Sequence, residues 1–366
     1  MKDEQPLWSL PEGKQKATPL YAFMEWCGAR YGSPREDYDR FHQWTVSQPE
    51  NFWQAVWSFC KVRGSPGGKV LVDDGHMQEA RFFPDGRLNF AENLLSRRGT
   101  NDAIIFRGED KARDRWSWDR LAADVSRLQQ GLYALGIGQG DRVAAMMPNM
   151  PETVALMLAV ASIGAVWSSC SPDFGEQGIL DRFGQITPKL FIACDGYWYN
   201  SKRQDVADKV RAVSSLLAVP VLVVPYAGDA RALAASLGDG RTYGDFVEPF
   251  QAKEVEYVQL PFAHPLYILF SSGTTGVPKC IVHSSGGTLL QHLKEHRLHC
   301  SIGVGDRLFY FTTCGWMMWN WLVSGLAVGA TLCLFDGSPF APDGNVLFDY
   351  AQDERFTVFG LSLIHI

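Results

Sequence analysis

From Ser117 onward the chain alternates apolar runs of strand length with segments of helical length, and this rhythm restricts its fold more than any other feature. Ser117 and Asp119 stand where a helix reaching about Leu135 needs its cap, and Gly136-Ile137-Gly138 closes that helix. Asp141 to Met147 reads as a strand, and Pro151-Glu152 opens an apolar helix through Ile163. A strand starts at Gly164-Ala165-Val166-Trp167, followed by a helix from Asp173 to Phe183 and a strand from Lys189 to Ala193. A helix from Asp205 to Ser215 and a strand from Val219 to Val224 continue the series. Strands linked by helices imply βαβ units, so the expected class is α/β, with mostly parallel sheets flanked by helices. Residues from about Gly228 to Glu256 are polar and glycine-containing and read as a connector.

The second half repeats the pattern. Strand Leu266 to Phe270 precedes strand Cys280 to His283, a helix from Gly287 to Cys300, a strand from Asp306 to Thr313 and a strand from Ala330 to Phe335. Between the last two lies an aromatic cluster, Gly315 to Trp321. The first hundred residues look different. Trp44, Trp53 and Trp57, with Phe41, Phe52, Val56 and Phe59, fall near helical spacing, and Gly64 to Gly68 breaks them off. Leu88 to Leu95 is a second helical patch ended by Gly99, and Ala103 to Phe106 an apparent strand.

Charge and cysteine usage narrow the function classes. A net charge of −6 argues against nucleic-acid partners, which call for a basic face. The eight cysteines form no C-x-x-C pair, so neither a disulfide framework nor a zinc knuckle is expected, and a reducing cytoplasm fits. The longest apolar run, Val154 to Trp167, is short of the roughly 20 residues a membrane span needs, which makes it a buried core helix. Met1 to Pro6 lacks the apolar core of a signal peptide.

The chemistry concentrates in Ser271-Ser272-Gly273-Thr274-Thr275-Gly276-Val277-Pro278-Lys279, directly after an expected strand. Glycines let the backbone approach a ligand, and successive N–H groups in a tight loop form an anion-binding nest. The hydroxyls add donors and Lys279 a point charge, a combination suited to nucleotide phosphates. The loop is not the common P-loop: Pro278 replaces its second glycine, and Cys280 follows the lysine where a magnesium-binding hydroxyl belongs.

That loop matches the S/T-S-G-[ST]-T-G-x-P-K pattern of the adenylate-forming ligases, the acyl-CoA synthetase superfamily, at every fixed position. Pro49-Glu50-Asn51-Phe52-Trp53 and Arg87 to Leu94 resemble the N-terminal region of the acetyl-CoA synthetase branch. Within the branch, Ser169 to Gly175, Thr312 to Trp321 and Phe335 to Pro339 are more similar to the acetoacetate-activating members than to the acetate-activating ones. The resemblance implies an adenylate-forming large N-terminal domain. It divides the chain into an N-terminal helical region (1–100), a partial AMP-binding large domain (101–360) and a tail that reads as non-native (361–366). It also implies the reaction ATP + acetoacetate + CoA to AMP + diphosphate + acetoacetyl-CoA, with ATP, Mg2+ and coenzyme A required and a cytoplasmic setting. Alternatives are another short acid (acetate, propionate or butyrate) and a non-catalytic nucleotide-binding remnant.

Residue by residue, the resemblance implies that Ser271, Ser272, Gly273, Thr274, Thr275, Gly276 and Lys279 hold phosphates, with Lys279 and Thr274 serving catalysis. Thr312, Thr313 and Trp316 line the acyl pocket on this reading, with Trp319 and Trp321 as core. Lys202 and Arg203 lie where the branch binds the nucleotide end of coenzyme A, the alternative being a solvated charge pair at a helix start. No protein metal site is expected: His292-Leu293-Lys294-Glu295-His296 fits the H-x-x-E-H zinc pattern, but nothing identifies a further ligand. The family's later motifs and its C-terminal small domain are absent, the last lysine is Lys294, and Leu361 to Ile366 reads as foreign sequence. The expectation is a truncated, inactive chain of poor solubility.

Overall fold

The computed structural model describes residues 10–11, 13–73, 75–271 and 276–361. The aromatic entry segment forms helices α2 (Tyr38–Ser47) and α3 (Pro49–Phe59), packed with a preceding α1 (Pro19–Tyr31). The division falls at Pro49, which sits at the start of α3, where its missing N–H is no loss, while Asp37 caps α2. Phe23 of α1 is fully buried and meets Phe41, Phe52 and Phe59 edge-on. Ribbon β1 (Leu71–Val72) with β2 (Arg81–Phe82), strand β3 (Arg87–Leu88) and helix α4 (Phe90–Leu94) complete this region. Asn89 caps α4, and its buried amide donates to the carbonyls of Ala161, Ser162 and Val258 at 3.2, 3.0 and 2.9 Å, tying the entry region to the main body.

The body follows as β4 (Asp102–Gly108), β5 (Ala112–Ser117), α5 (Trp118–Ala134), β6 (Arg142–Met146), α6 (Pro151–Ser162), β7 (Val166–Cys170), α7 (Glu176–Ile186) and β8 (Leu190–Cys194). A hairpin of β9 (Tyr197–Tyr199) and β10 (Lys202–Gln204) precedes α8 (Ala207–Leu217) and β11 (Val221–Val224). Next come α9 (Ala230–Ala235), β12 (Gly240–Thr242), α10 (Tyr243–Val247), β13 (Leu260–Pro261), β14 (Pro265–Phe270), β15 (Cys280–Ser284) and α11 (Ser285–Leu293). The last elements are β16 (Arg307–Tyr310), α12 (Met317–Ser324), β17 (Thr331–Asp336), α13 (Val346–Glu354) and β18 (Val358–Gly360).

Two sheets result, a seven-stranded one ordered β12-β11-β8-β6-β7-β14-β15 and a five-stranded one ordered β18-β16-β17-β4-β5. Both are parallel except for one antiparallel edge strand each, β15 and β5. The α/β expectation therefore stands. Helix α6 touches β7 of one sheet and β4 of the other and is buried along nearly its whole length, the core helix its composition required.

Several boundaries differ from the sequence reading, each for a local reason. The connector over 228–256 contains α9, β12 and α10, with Asp229 and Thr242 as caps; these pieces are too short to show periodicity. Helix α7 starts at Glu176 instead of Asp173, because Ser171 to Phe174 closes a turn of its own. The expected helix over 287–300 starts earlier, at Ser285, and widens into a π-helix over Lys294–His299. Lys202 and Arg203 lie on strand β10 of the hairpin, not at a helix start. Among the described residues no helix is long and apolar enough to cross a membrane.

Candidate active site

In open parallel sheets, ligands bind beyond the carboxyl ends of the strands, where the strand order reverses. Here β6 leads to β7 on one side and β7 leads across β6 to β8 on the other, so the switch point lies between β6 and β8, and the carboxyl ends of β6 and β7 stand beside it. The segment after β16 is laid across those ends. The Ser169 hydroxyl donates to the Cys314 carbonyl at 2.7 Å, and the Cys314 thiol to the Pro148 carbonyl at 3.3 Å. Fully buried Trp319 donates from Nε1 to Asn149 Oδ1 at 2.9 Å, and Asn149 in turn donates to the Phe335 carbonyl at 3.4 Å. Two sheets are thereby joined at their carboxyl ends.

This lacing fixes Thr312, Thr313 and Trp316 beside the strand ends. Both threonines are half-buried, and Trp316 at the start of α12 is 64% exposed, a large amphipathic surface left in solvent. Trp319 and Trp321 are buried, in line with the core reading of this aromatic cluster. Lys209 holds the neighbouring turn, donating to the carbonyls of Pro172 and Phe174 at 2.6 and 2.8 Å, while the Arg182 guanidinium lies 4.5 Å from the Phe174 ring centre. Neither cation carried a signal in the sequence, since both lie in helices of ordinary mixed charge.

The glycine- and hydroxyl-rich loop leaves β14 next to β7, whose Ser168 hydroxyl donates to the Ile268 carbonyl at 2.9 Å. Ser272, Gly273, Thr274 and Thr275 lie outside the described residues. The loop's neck is defined: Ser271 N–H donates to the Lys279 carbonyl at 3.0 Å, and Lys279 N–H to Ser271 Oγ at 2.9 Å. Ser271 thus closes the loop and keeps its hydroxyl proton to donate. Gly276 has φ +142, a conformation side chains rarely adopt, and Lys279 is exposed. Gln185 of α7 anchors the loop by donating to the Pro278 carbonyl at 2.8 Å. Lys202 and Arg203 are exposed on the hairpin after β8, with Arg203 3.6 Å from Asp205.

The H-x-x-E-H stretch is structural. His292 Nδ1 meets Ser324 Oγ at 2.8 Å, and His296 Nε2 lies 2.9 Å from the Trp321 carbonyl. Glu295 accepts from Trp321 Nε1 at 2.9 Å and from Gln291 at 2.7 Å. Among the described residues no group of three or more His, Cys, Asp or Glu is arranged to hold a metal. Burial pushes His292 down to about 3 and His296 to about 4. Two buried acids move the other way. Asp336, at the end of β17, is raised to about 7 by burial, with the carboxylate of Glu109 adding to it; burial raises Glu152 to about 7 as well.

These shifts have a testable sign. Unfolding below about pH 6.5 charges the two histidines, so their contribution to stability is present above that pH and lost as pH falls toward 4. For the two acids, stability is full below their unfolded range near 4 and lost as pH rises through 7. From about pH 5 to 6 the two uptakes and two releases of protons cancel. Asp336→Asn breaks the balance: its stability relative to the parent should fall by about 1.4 kcal/mol per pH unit as pH drops from about 6 to 5. Urea titrations of both proteins at a series of pH values measure this; a pH-independent difference would mean that Asp336 is ionised in the fold.

A two-sheet α/β body whose hydroxyl-rich loop follows a strand's end suits a nucleotide-handling class. The AMP-binding enzyme family matches residues 92–362, and the acetyl-coenzyme A synthetase N-terminus family matches residues 38–94. The chain belongs to the AMP-binding enzyme family, and its fold is the adenylate-forming N-terminal domain. It is 67% identical to an acetoacetyl-coenzyme A synthetase of Rhizobium meliloti (strain 1021) over 366 residues, which is 100% of this chain and 56% of that protein. A malonamoyl-CoA synthetase of Penicillium aethiopicum is 41% identical over 92% of this chain and 48% of its own length. The solved acetoacetyl-CoA synthetase from Streptomyces lividans superimposes with a TM-score of 0.92 at 39% identity, covering 99% of this chain and 56% of that one. The chain spans about half the length of the curated relatives it matches.

Proposed function

We propose that this chain carries the nucleotide- and acid-binding part of an AMP-forming acid–thiol ligase, acting on acetoacetate, ATP and coenzyme A in the cytoplasm. The observation that carries the reading is the 312–316 segment, laced across the ends of β6 and β7 beside the loop that leaves β14. An acid bound there has its carboxylate at the strand ends, beside the loop assigned to the phosphates. The carboxylate oxygen attacks the α-phosphorus and pyrophosphate leaves; the coenzyme A sulfur then attacks the acyl carbon and AMP leaves. Phosphoryl chemistry of this kind depends on positioning and charge neutralisation. Lys279 neutralises the departing pyrophosphate, and the loop N–H groups with Ser271 to Thr275 hold the β- and γ-phosphates. Mg2+ would come bound to the nucleotide and would neutralise phosphate charge there, and no residue of this chain is assigned to it. The cysteines described as free suit a reducing compartment.

Thr312 and Thr313 favour an acid with a polar group two carbons from the carboxylate. A site that hydrogen-bonds a substrate oxygen rejects an analogue lacking it far more strongly than an apolar slot does. Malonamate, which exchanges the methyl of acetoacetate for an amino group, is the second reading, and the 41% identical relative supports it. ATP–pyrophosphate exchange with acetoacetate, malonamate and butyrate tests the proposal on a chain extended to the relatives' length. Exchange should be fastest with acetoacetate and at least about tenfold slower with butyrate. Equal rates for all three would remove the hydroxyl contact, and no exchange with any would remove the ligase reading.

A further inference from the structure

We propose that Glu109 is the positioning residue of the coenzyme A site: its carboxylate locks the Asn200-Ser201 turn and so presents Lys202 and Arg203 to the phosphates of that co-substrate. This rests on the coenzyme A reading of the hairpin. Strands β9 and β10 pair with Tyr199 opposite Lys202, leaving a two-residue turn. Asn200 and Ser201 both have positive φ, 55 and 60. Such a turn favours glycine at its second position, and a serine there is held only if its surroundings impose the conformation.

The turn's two consecutive N–H groups form an anion-binding concavity. The protein fills it with its own carboxylate. Asn200 N–H donates to Glu109 Oε1 and Ser201 N–H to Glu109 Oε2, both at 2.7 Å, and Ser338 N–H donates to Oε1 at 2.8 Å. Glu109 is 1% exposed and has a positive φ of 45 itself, so the protein spends backbone strain to put the carboxylate there. Gly337, with φ +120, leaves room for it, since a Cβ at that position would stand 2.3 Å from Glu109 Cγ. The carboxylate therefore ties the hairpin to the end of β17, next to the strand ends that carry the acyl segment. Lys111 also reaches the hairpin, its ammonium 5.9 Å from the Trp198 ring centre and paired with Asp110 at 2.8 Å.

A carboxylate that only glued two loops together would leave ligand affinity alone, so the test pairs local order with binding. The variants are Glu109→Gln and Lys202→Ala in this chain. Hydrogen exchange is followed in the peptide over 197–204, and affinities for coenzyme A and ATP are measured by calorimetry. Glu109→Gln should speed exchange over 197–204 by at least about tenfold and weaken coenzyme A about tenfold, with ATP affinity and exchange in β6 and β7 unchanged. Lys202→Ala should weaken coenzyme A without altering exchange. Unchanged exchange in Glu109→Gln overturns the lock, and lost protection with retained coenzyme A affinity overturns the positioning role. If the parent binds no coenzyme A, or Lys202→Ala binds it equally well, the coenzyme A reading of the hairpin fails, whatever the exchange arm shows.

Discussion

Replacing Trp319 with alanine is expected to destabilise the protein by about 4 kcal/mol, the largest single effect among the residues around the site. The ring is fully buried and lies stacked 6.5 Å from Trp167, itself 1% exposed. Removing it opens a cavity, and it also strips Asn149 Oδ1 of its donor in a buried position, a separate cost of about 1–3 kcal/mol that partial collapse of the cavity offsets in part. Trp319→Phe separates the two: it keeps most of the volume and loses the hydrogen bond, so about 1–2 kcal/mol is expected. Urea denaturation of the three proteins measures both differences. A loss under about 1.5 kcal/mol for the alanine variant would show that Trp319 is not the strut between the sheets.

Lys279→Ala should weaken ATP binding by about 10- to 100-fold, or about 1.4–2.7 kcal/mol, and leave AMP binding nearly unchanged. The asymmetry follows from where the charge is placed in the proposal, against the β- and γ-phosphates that AMP lacks. The substitution leaves the loop's neck intact, because the bonds between residues 271 and 279 use only the backbone of Lys279, with the N–H and hydroxyl of Ser271. Calorimetric titration with ATP, ADP and AMP reads the effect. Equal weakening of ATP and AMP would indicate a disturbed loop, and no weakening of either would take Lys279 out of the phosphate site.

The α/β alternation was legible because it is written in periodicities that burial enforces. Helix α6 and strands β6, β8 and β14 all appear within a few residues of where apolar runs put them. Short edge pieces were not legible. Strand β5, Ala112–Ser117, is charged and half in solvent, and β12 has only three residues, so neither shows an apolar pattern. The loop at 271–279 announced itself by composition, yet the role of Ser271 in closing its neck needed the antiparallel pairing of β14 with β15. The roles of Glu109 and Asp336 were not legible: Asp336 stood out only as part of the Phe335 to Pro339 resemblance, and Glu109 only as one of two acids in a turn. The folding of distant strands is what surrounds them with backbone donors or with apolar cover.

The most direct test is a crystal structure of this chain with a non-hydrolysable ATP analogue. The triphosphate should lie against backbone N–H groups of residues 272–276, with the Lys279 ammonium on its terminal phosphates and its α-phosphate toward the ends of β6 and β7. A nucleotide bound at another face, or a loop whose N–H groups all point into the protein with the analogue present, would contradict the account.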